Sequence, residues 1–411
     1  MSHAADQSNP STPDAQGPHA AALAGNPTQP KYPSPNATAI YEQTPAVSQL
    51  PYDSFLLVSF GGPEAQDEVM PFLRNVLQGK NVPEERMLEV SEHYRHFGGV
   101  SPINDHCRQL MSALEKEFRT RGIDLPMYWG NRNWTPMLTE TMRQMASDGR
   151  RRTIAFFTSM FSCYSGCRQY RENIAAAQED VQKSGELVAP IVEKVRMGFN
   201  HPKFIRVMAQ SVRQAYASID ADPTTTPLLL TAHSIPMSMA EFCTYQKQLE
   251  ETSRLVADAA AVSNHRLVFQ SRSGPPQQPW LEPDICDAIA EMDDNEKLQQ
   301  LVILPIGFVS DHMEVMFDLD EEAMQLCQER DIQMARAATA GTAPEFVSMV
   351  ADLILERIDP ENHSGARPAD GEMGAWHDVC PADCCRYEAR RPPGVGRPGG
   401  GPPAGRPDSA R

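Results

Sequence analysis

An α/β fold, built as two doubly wound lobes with a cleft between them, is predicted by three observations. Short apolar, β-branched runs alternate with helix-like segments from Tyr52 onward. The alternation comes in two successive sets of similar size, the second starting near Val188. Several of the runs stop in turns of Gly, Ser, Pro or His, and strand ends of this kind are where open α/β folds hold ligands.

Residues 1–50 are rich in Ala, Pro, Ser, Gln and Asn without periodicity and are expected to be a disordered extension. Lobe 1 is assigned to residues 51–187. It opens with the strand Ser54–Phe60, which stops at Gly61, Gly62 and Pro63 before a helical stretch from Glu64. Without G-x-G-x-x-G or a lysine-bearing P-loop, these glycines read as a tight turn beneath a ligand rather than a nucleotide site. A helix around Glu84–Arg95 leads to the loop Phe97–Asn104. There Gly98 and Gly99 permit close backbone approach, and Ser101 with Pro102 reads as an N-cap and N1 pair. The next helix runs to about Arg121. Strand Pro126–Gly130 then ends at Asn131–Trp134, where Arg132 is a fixed cation beside an aromatic. Strand Thr153–Ser159, the segment Met160–Tyr170 with Cys163 and Cys167, and a helix to about Lys183 complete the lobe.

Lobe 2 is assigned to residues 188–335. Helix Pro202–Ser218 precedes strand Pro227–Ala232, which ends at His233 in a turn locked by Pro236. A further helix, strand Arg266–Gln270, the loop Ser271–Pro276 with Trp280, helix Asp284–Met292 and strand Leu301–Pro305 follow. Residues 336–360 contain a last helix, Ala343–Ile358, expected to return to lobe 1. Residues 361–385 read as a linker ending in a cysteine segment, and 386–411 as an Arg-, Pro- and Gly-rich disordered tail.

Chemistry concentrates in Leu301–Glu322. After the strand, one face of a helix-like segment carries Glu314, Asp318 and Glu322 at i, i+4 and i+8, a row about two α-turns long. Like charges so spaced repel if exposed, so the row is either a solvated face or a path for something positive. Its place after a strand end, behind Asp311 and His312, favours the cation path. His233 sits at another strand end and can accept a proton or bind a metal through one ring nitrogen. Paired with Glu314 across a cleft, it becomes a candidate for proton removal and metal handling. Two protein ligands leave an open site, suited to passing a metal on.

A formal net charge of −17 argues against nucleic acid or an anionic membrane face as partner. The apolar runs are too short for a transmembrane segment, and the N-terminus has no signal-peptide pattern, so a cytoplasmic location is expected. Nothing in the sequence identifies a protein partner. Nine cysteines in 411 residues do not make a disulfide scaffold. Cys107, Cys243, Cys286 and Cys327 fit buried apolar positions. Cys380, Cys384 and Cys385 fall within six residues, CPADCC, where no core pattern asks for them.

The strings LLVSFGGPE, HFGGVSPIN, GNRNW, TAHSIP, VFQSRSGPP with PWLEPD, and GFVSDHMEV with the acidic helix occur in the order found in ferrochelatases. Over roughly Tyr52–Ile358 the chain resembles that family, and most of all the actinobacterial-type enzymes that insert ferrous iron into coproporphyrin III. The resemblance implies two Rossmann-like, chelatase-type lobes with four-stranded parallel sheets flanked by helices, and porphyrin and Fe²⁺ as substrates. It matches His233 and Glu314 to the family's metal-site pair and continues its acidic helix through Asp318 and Glu322. It matches Ser101, and less closely Tyr170, to porphyrin-contacting residues. Some relatives have a tyrosine facing the metal where this chain has Phe60, so no axial oxygen ligand is expected from that position.

The resemblance also implies a [2Fe–2S] cluster, which needs four thiolates. Cys380, Cys384 and Cys385 would supply three and Cys167 the fourth, with Cys163 as competitor for the internal place. A zinc knuckle is the structural alternative. For substrate, the polar stretch Leu73–Glu92, with Arg74, Lys80, Arg86 and Arg95 nearby, favours the four propionates of coproporphyrin III over an apolar, membrane-facing lip. A protoporphyrin IX ferrochelatase, a cobalt chelatase of related fold and a porphyrin carrier without turnover stay open as alternatives.

Overall fold

The structure, a computed structural model, describes residues 51–78, 82–183, 185–274, 277–363 and 367–387. The expected N-terminal extension, Lys80 and all but two residues of the expected tail lie outside them.

Strands β1 (Ser54–Ser59), β2 (Met127–Asn131), β3 (Arg152–Phe157) and β4 (Ile191–Lys194) form one sheet in the order β2-β1-β3-β4. Strands β5 (Leu228–His233), β6 (His265–Gln270), β7 (Gln300–Leu304) and β8 (Gln333–Arg336) form a second in the order β6-β5-β7-β8. All pairings are parallel, with Leu57 opposite both Trp129 and Phe156, and Leu229 opposite both Arg266 and Ile303. β1 and β5 are buried along their whole length, which is why they read as unbroken apolar runs rather than alternating ones.

Helices cover both sheets. In lobe 1 these are α1 (Val69–Val76), α2 (Glu84–His96), α3 (Ile103–Arg121), α4 (Leu138–Ser147) and α5 (Gln169–Lys183). In lobe 2 they are α6 (Pro202–Ser218), α7 (Tyr245–Ala260), α8 (Ile285–Glu296) and an acidic helix over residues 313–329. Their ends follow local chemistry. α3 stops at Gly122, whose left-handed backbone (φ 68°) closes the last turn. α6 starts with Pro202 inside its first turn, and His201 Nδ1 accepts the N–H of Lys203 at 3.2 Å. α8 is capped by Asp284, which accepts the N–H of Cys286 at 2.9 Å.

Helix α9 (Pro344–Ile358) joins the lobes. Its Phe346 stands edge-on to Phe156 of β3 and tilted against Phe204 of α6, both at 6.2 Å between ring centroids. Burying such a side chain contributes about 1.5–3 kcal/mol, so the interior runs from one lobe into the other.

Three expectations change. β4 pairs with β3, so lobe 1 extends beyond residue 187 to at least Lys194. A four-residue strand carries no local sign of which sheet it will join. No element was expected at helix α4 or at the edge strand β8, although α4 carries an apolar stripe, with Leu138, Met142, Met145 and Ala146 buried. The expected linker packs as a strap over its described residues 367–379. Arg196 holds Glu356 through two bonds (2.7 and 2.9 Å) and donates to the Pro368 carbonyl, while Asn200 donates to the carbonyls of Asp370 and Gly374. Trp376 stands edge-on to Phe199. Bonds to main-chain carbonyls leave no periodic trace in the sequence. Among the described residues, no helix is long and apolar enough to cross a membrane.

Candidate active site and cysteine centre

The cleft opens where the C-terminal ends of β1, β5 and β7 meet. Phe60, Ser101 and Tyr170 of lobe 1 and His233, Phe308 and Glu314 of lobe 2 are among the walls of its cavity, which has a volume of ≈ 140 Å³ and opens to solvent. Two glycines make the approach possible. A Cβ on Gly62 would lie 2.7 Å from Ser101 Cβ, and one on Gly307 2.6 Å from Ala232 Cβ. Gly307 thus seats the exit of β7 on the end of β5 and brings the following turn beside His233.

His233 is the last residue of β5, and only 7 % of its surface is exposed. Its Nδ1 pairs with the Ser234 carbonyl, which can only accept, so Nδ1 carries a proton and Nε2 is the nitrogen turned to the cleft. Nε2 lies 3.7 Å from Oε2 of Glu314, itself 6 % exposed at the head of the acidic helix. The two residues singled out 81 positions apart therefore converge. Tyr94 of α2 is also close: burial, with the Glu314 carboxylate adding to it, pushes its hydroxyl pKa up, so it stays protonated. His312 lies edge-on to Phe308 at 5.0 Å, and its enclosure among protein atoms, helped by His233, pushes its pKa down to about 4.

The acid row is not a solvated face. Asp318 is buried, bonded by Gln270 Nε2 (3.1 Å) and by the Ser271 hydroxyl, and Glu322 is half-buried. Residues Met316–Ala323 are π-helical, so the expected α-helical stacking does not apply. Eight residues of pattern cannot separate i→i+4 from i→i+5 hydrogen bonding.

Ser101 is buried at the cleft, but it caps no helix: its N–H donates to the Pro63 carbonyl (2.8 Å), and no side-chain cap forms at the head of α3. Tyr170 stacks on Phe157, and the Arg132 guanidinium lies over its ring at 4.6 Å and over Phe60 at 5.7 Å. Arg74, Arg86 and Arg95 instead pair with Glu84 (2.8 Å), Glu89 (2.6 Å) and Glu92 (2.7 Å), outside the cleft lining. The cation beside the aromatic wall is Arg132.

The terminal cysteines reach lobe 1. The Cys167 thiol meets that of Cys380, Cys380 meets Cys384, and Cys384 Sγ is 3.5 Å from Cys385 Sγ. Hydrogen bonds from Cys167 and Cys384 hold the Cys380 thiol well below its usual range. Cys163 turns away to the cleft, where it accepts the Gly166 N–H at 3.1 Å. Sequence reasoning missed His377. Its ring nitrogen and the sulfurs of Cys380 and Cys384 all lie within 4.8 Å of one another. Its place three residues before Cys380, an H-x-x-C spacing, was the available signal. The four sulfurs form a chain of contacts, Cys167 to Cys380 to Cys384 to Cys385, and four is the number of thiolates that a [2Fe–2S] group takes.

A family model described as Ferrochelatase matches residues 52–358. A ferrochelatase of Rhodopirellula baltica is 67 % identical over 346 residues, 84 % of this chain and 97 % of that protein. A coproporphyrin III ferrochelatase of Streptomyces coelicolor is 46 % identical over 84 % of this chain and 96 % of its own length. One of Tropheryma whipplei is 43 % identical over 82 % of this chain and 89 % of its own. Among solved structures, SirB from Bacillus subtilis with Fe³⁺ matches with a TM-score of 0.48 at 10 % identity, covering 78 % of this chain and 100 % of that one.

Proposed function

The chain belongs to the ferrochelatase family, whose enzymes insert ferrous iron into a porphyrin, and on that premise we propose that its porphyrin is coproporphyrin III and that His233 and Glu314 carry the insertion. The observation that carries the site assignment is the 3.7 Å approach of His233 Nε2 to Glu314 Oε2 in the cleft between the lobes.

Insertion exchanges two pyrrole N–H protons for one Fe²⁺. His233 presents an acceptor nitrogen because the Ser234 carbonyl holds the proton on Nδ1. While Nε2 is unprotonated the pair offers one nitrogen and one oxygen to the entering iron; once Nε2 has taken a pyrrole proton, Glu314 faces an imidazolium, which its carboxylate stabilises, and the second proton passes to a carboxylate of the acidic helix. Buried Asp318 and half-buried Glu322 lie further along the same helix and are the acids by way of which protons leave or iron approaches. Ser101, Tyr170 and the Arg132 guanidinium line or flank the wall against which the macrocycle rests.

The coproporphyrin reading is supported by the relatives of that name and by the character of α2, where Arg86 and Arg95 are bridged to Glu89 and Glu92 and exposed apolar surface is confined to isolated side chains such as Leu88, 49 % exposed. A [2Fe–2S] group on Cys167, Cys380, Cys384 and Cys385 belongs to the same proposal. It would supply an iron–sulfur centre with redox and structural capacity away from the cleft. So does a cytoplasmic location.

Anaerobic insertion assays on the full chain, with Fe²⁺ and each porphyrin in detergent-free buffer, test the reading. A higher kcat/KM for coproporphyrin III and no stimulation by lipid are expected. Equal or better turnover of protoporphyrin IX overturns the substrate assignment.

A further inference from the structure

The cysteine centre and the cleft share one turn of backbone. A π-turn, Tyr164–Arg168, starts from Cys163, which lines the cleft together with Ser165 and Gly166. It ends at Cys167 and Arg168, on the cysteine centre. The Cys163 carbonyl accepts the N–H of Cys167 at 3.0 Å and that of Arg168 at 3.3 Å, so the two sides are bonded across the turn. The turn has little room to shift independently, because a Cβ on Gly166 would stand 2.7 Å from Ser159 Oγ, another cleft group.

Each side of the turn is gripped by an arginine. On the cysteine side, Arg168 Nη1 donates to the carbonyls of Ala382 (2.8 Å) and Cys384 (3.1 Å), while its Nε donates to Glu172 at 2.9 Å. The CPADCC segment is thereby tied to the turn by main-chain bonds as well as by the Cys167 sulfur. On the cleft side, Arg132 Nη1 donates to the Ser165 carbonyl at 3.4 Å, and its guanidinium covers the Tyr170 and Phe60 rings. A displacement of CPADCC therefore has a bonded route to the cation and aromatic of the cleft wall.

We propose that the Cys163–Arg168 turn is a positioning element, with Arg168 its coupling residue. A metal group filling the cysteine centre fixes the turn, and through Ser165, Arg132 and Tyr170 it raises the affinity of the cleft for an anionic porphyrin. The inference rests on the reading that a metal group fills that centre. The two sites lie on opposite sides of a segment too short to deform independently, so their occupancies are linked. Linkage is reciprocal: porphyrin in the cleft perturbs the metal centre to the same extent.

The test uses the full chain as purified, with Arg168→Ala and Arg168→Lys beside it. Metal content is measured by elemental analysis. Affinity for coproporphyrin III without added iron is read from quenching of porphyrin fluorescence, and the centre from visible circular dichroism with and without a colourless porphyrinogen analogue. Metal-loaded Arg168→Ala is expected to bind porphyrin about tenfold more weakly, within the usual range of site-to-site coupling. The dichroism change on ligand binding should be present in the wild type, absent in the alanine variant and partly restored in the lysine variant, which can still donate to one carbonyl. Should Arg168→Ala lose its metal, wild-type protein stripped by a chelator replaces it, and a several-fold weaker affinity than the loaded protein is expected. Equal affinity for stripped and loaded protein, or for a loaded Arg168→Ala, overturns the coupling and leaves the metal reading standing. Wild-type protein that holds neither iron nor zinc overturns the metal reading itself, and the coupling with it.

Discussion

His93 of α2 and Phe317 of the acidic helix stack face to face across the two lobes, ring centroids 3.9 Å apart and planes 10° from parallel. One helical turn along each partner, His96 Nε2 meets Glu321 Oε1 at 3.0 Å. The helix that carries Glu314 and Asp318 is thus anchored to the other lobe through Phe317 and Glu321. An aromatic pair of this kind contributes about 0.5–1.5 kcal/mol beyond its buried area. His93→Ala is therefore expected to loosen porphyrin by about two- to tenfold, mainly through faster release, which stopped-flow fluorescence measures. Unchanged release would show that the stack does not restrain the cleft.

His233→Ala should lower kcat for iron insertion by ~10²–10⁴, the usual worth of a positioned acid–base group, while fluorescence quenching still reports porphyrin binding. Glu314→Gln, which keeps shape and loses charge, should behave alike. Activity within a few-fold of wild type in either variant sinks the assignment.

The purified protein is expected to be brown, with visible charge-transfer absorption and about two irons per chain. Cys167→Ser, Cys380→Ser, Cys384→Ser or Cys385→Ser should each bleach it, and Cys163→Ser should not, because that thiol faces the cleft. Bleaching by Cys163→Ser alone of the two internal changes would exchange their roles. Stoichiometric zinc without iron would replace the cluster, with His377, Cys380 and Cys384 as its first three ligands.

His201 makes the fold acid-sensitive. It is 1 % exposed and accepts the Lys203 N–H through Nδ1, which requires that nitrogen unprotonated. Burial, with Arg196 adding to it, pushes its pKa down to about 4, against an ordinary value near 6.5. Between those values the unfolded chain binds the proton and the folded chain does not. The stabilisation is therefore complete above about pH 6.5 and falls away towards pH 4, by about 3 kcal/mol in all. His201→Asn keeps a capping acceptor and removes the titration. The fall of Tm between pH 6.5 and 4 should be shallower in that variant, and an unchanged slope refutes the account.

Much of this architecture was legible because burial on both faces writes itself into sequence. Leu56, Leu57 and Val58 of β1, and Leu228, Leu229 and Leu230 of β5, sit fully inside, as strands covered on both faces require. His233 and Glu314 were legible because one ends an apolar strand and the other comes after the exit turn of one. Their 3.7 Å approach was not, since strand order and the Gly307 contact decide it and neither is local. The π-helical geometry around Asp318 was hidden because side-chain pattern does not report which carbonyl an amide chooses. The strap over 367–379 was hidden because Arg196 and Asn200 hold main-chain carbonyls, which every residue has.

The repeated strand order makes Phe60 and His233 counterparts. Each directly follows or ends the second strand of its sheet, and each leads into a proline three residues on, Pro63 and Pro236. Both reach the same cleft. At matching places in the two halves the cleft therefore carries unlike groups, a hydrocarbon ring from one and an imidazole from the other. Only the second can hold a proton or a metal ion. The two halves share a strand order and differ in chemistry at this position.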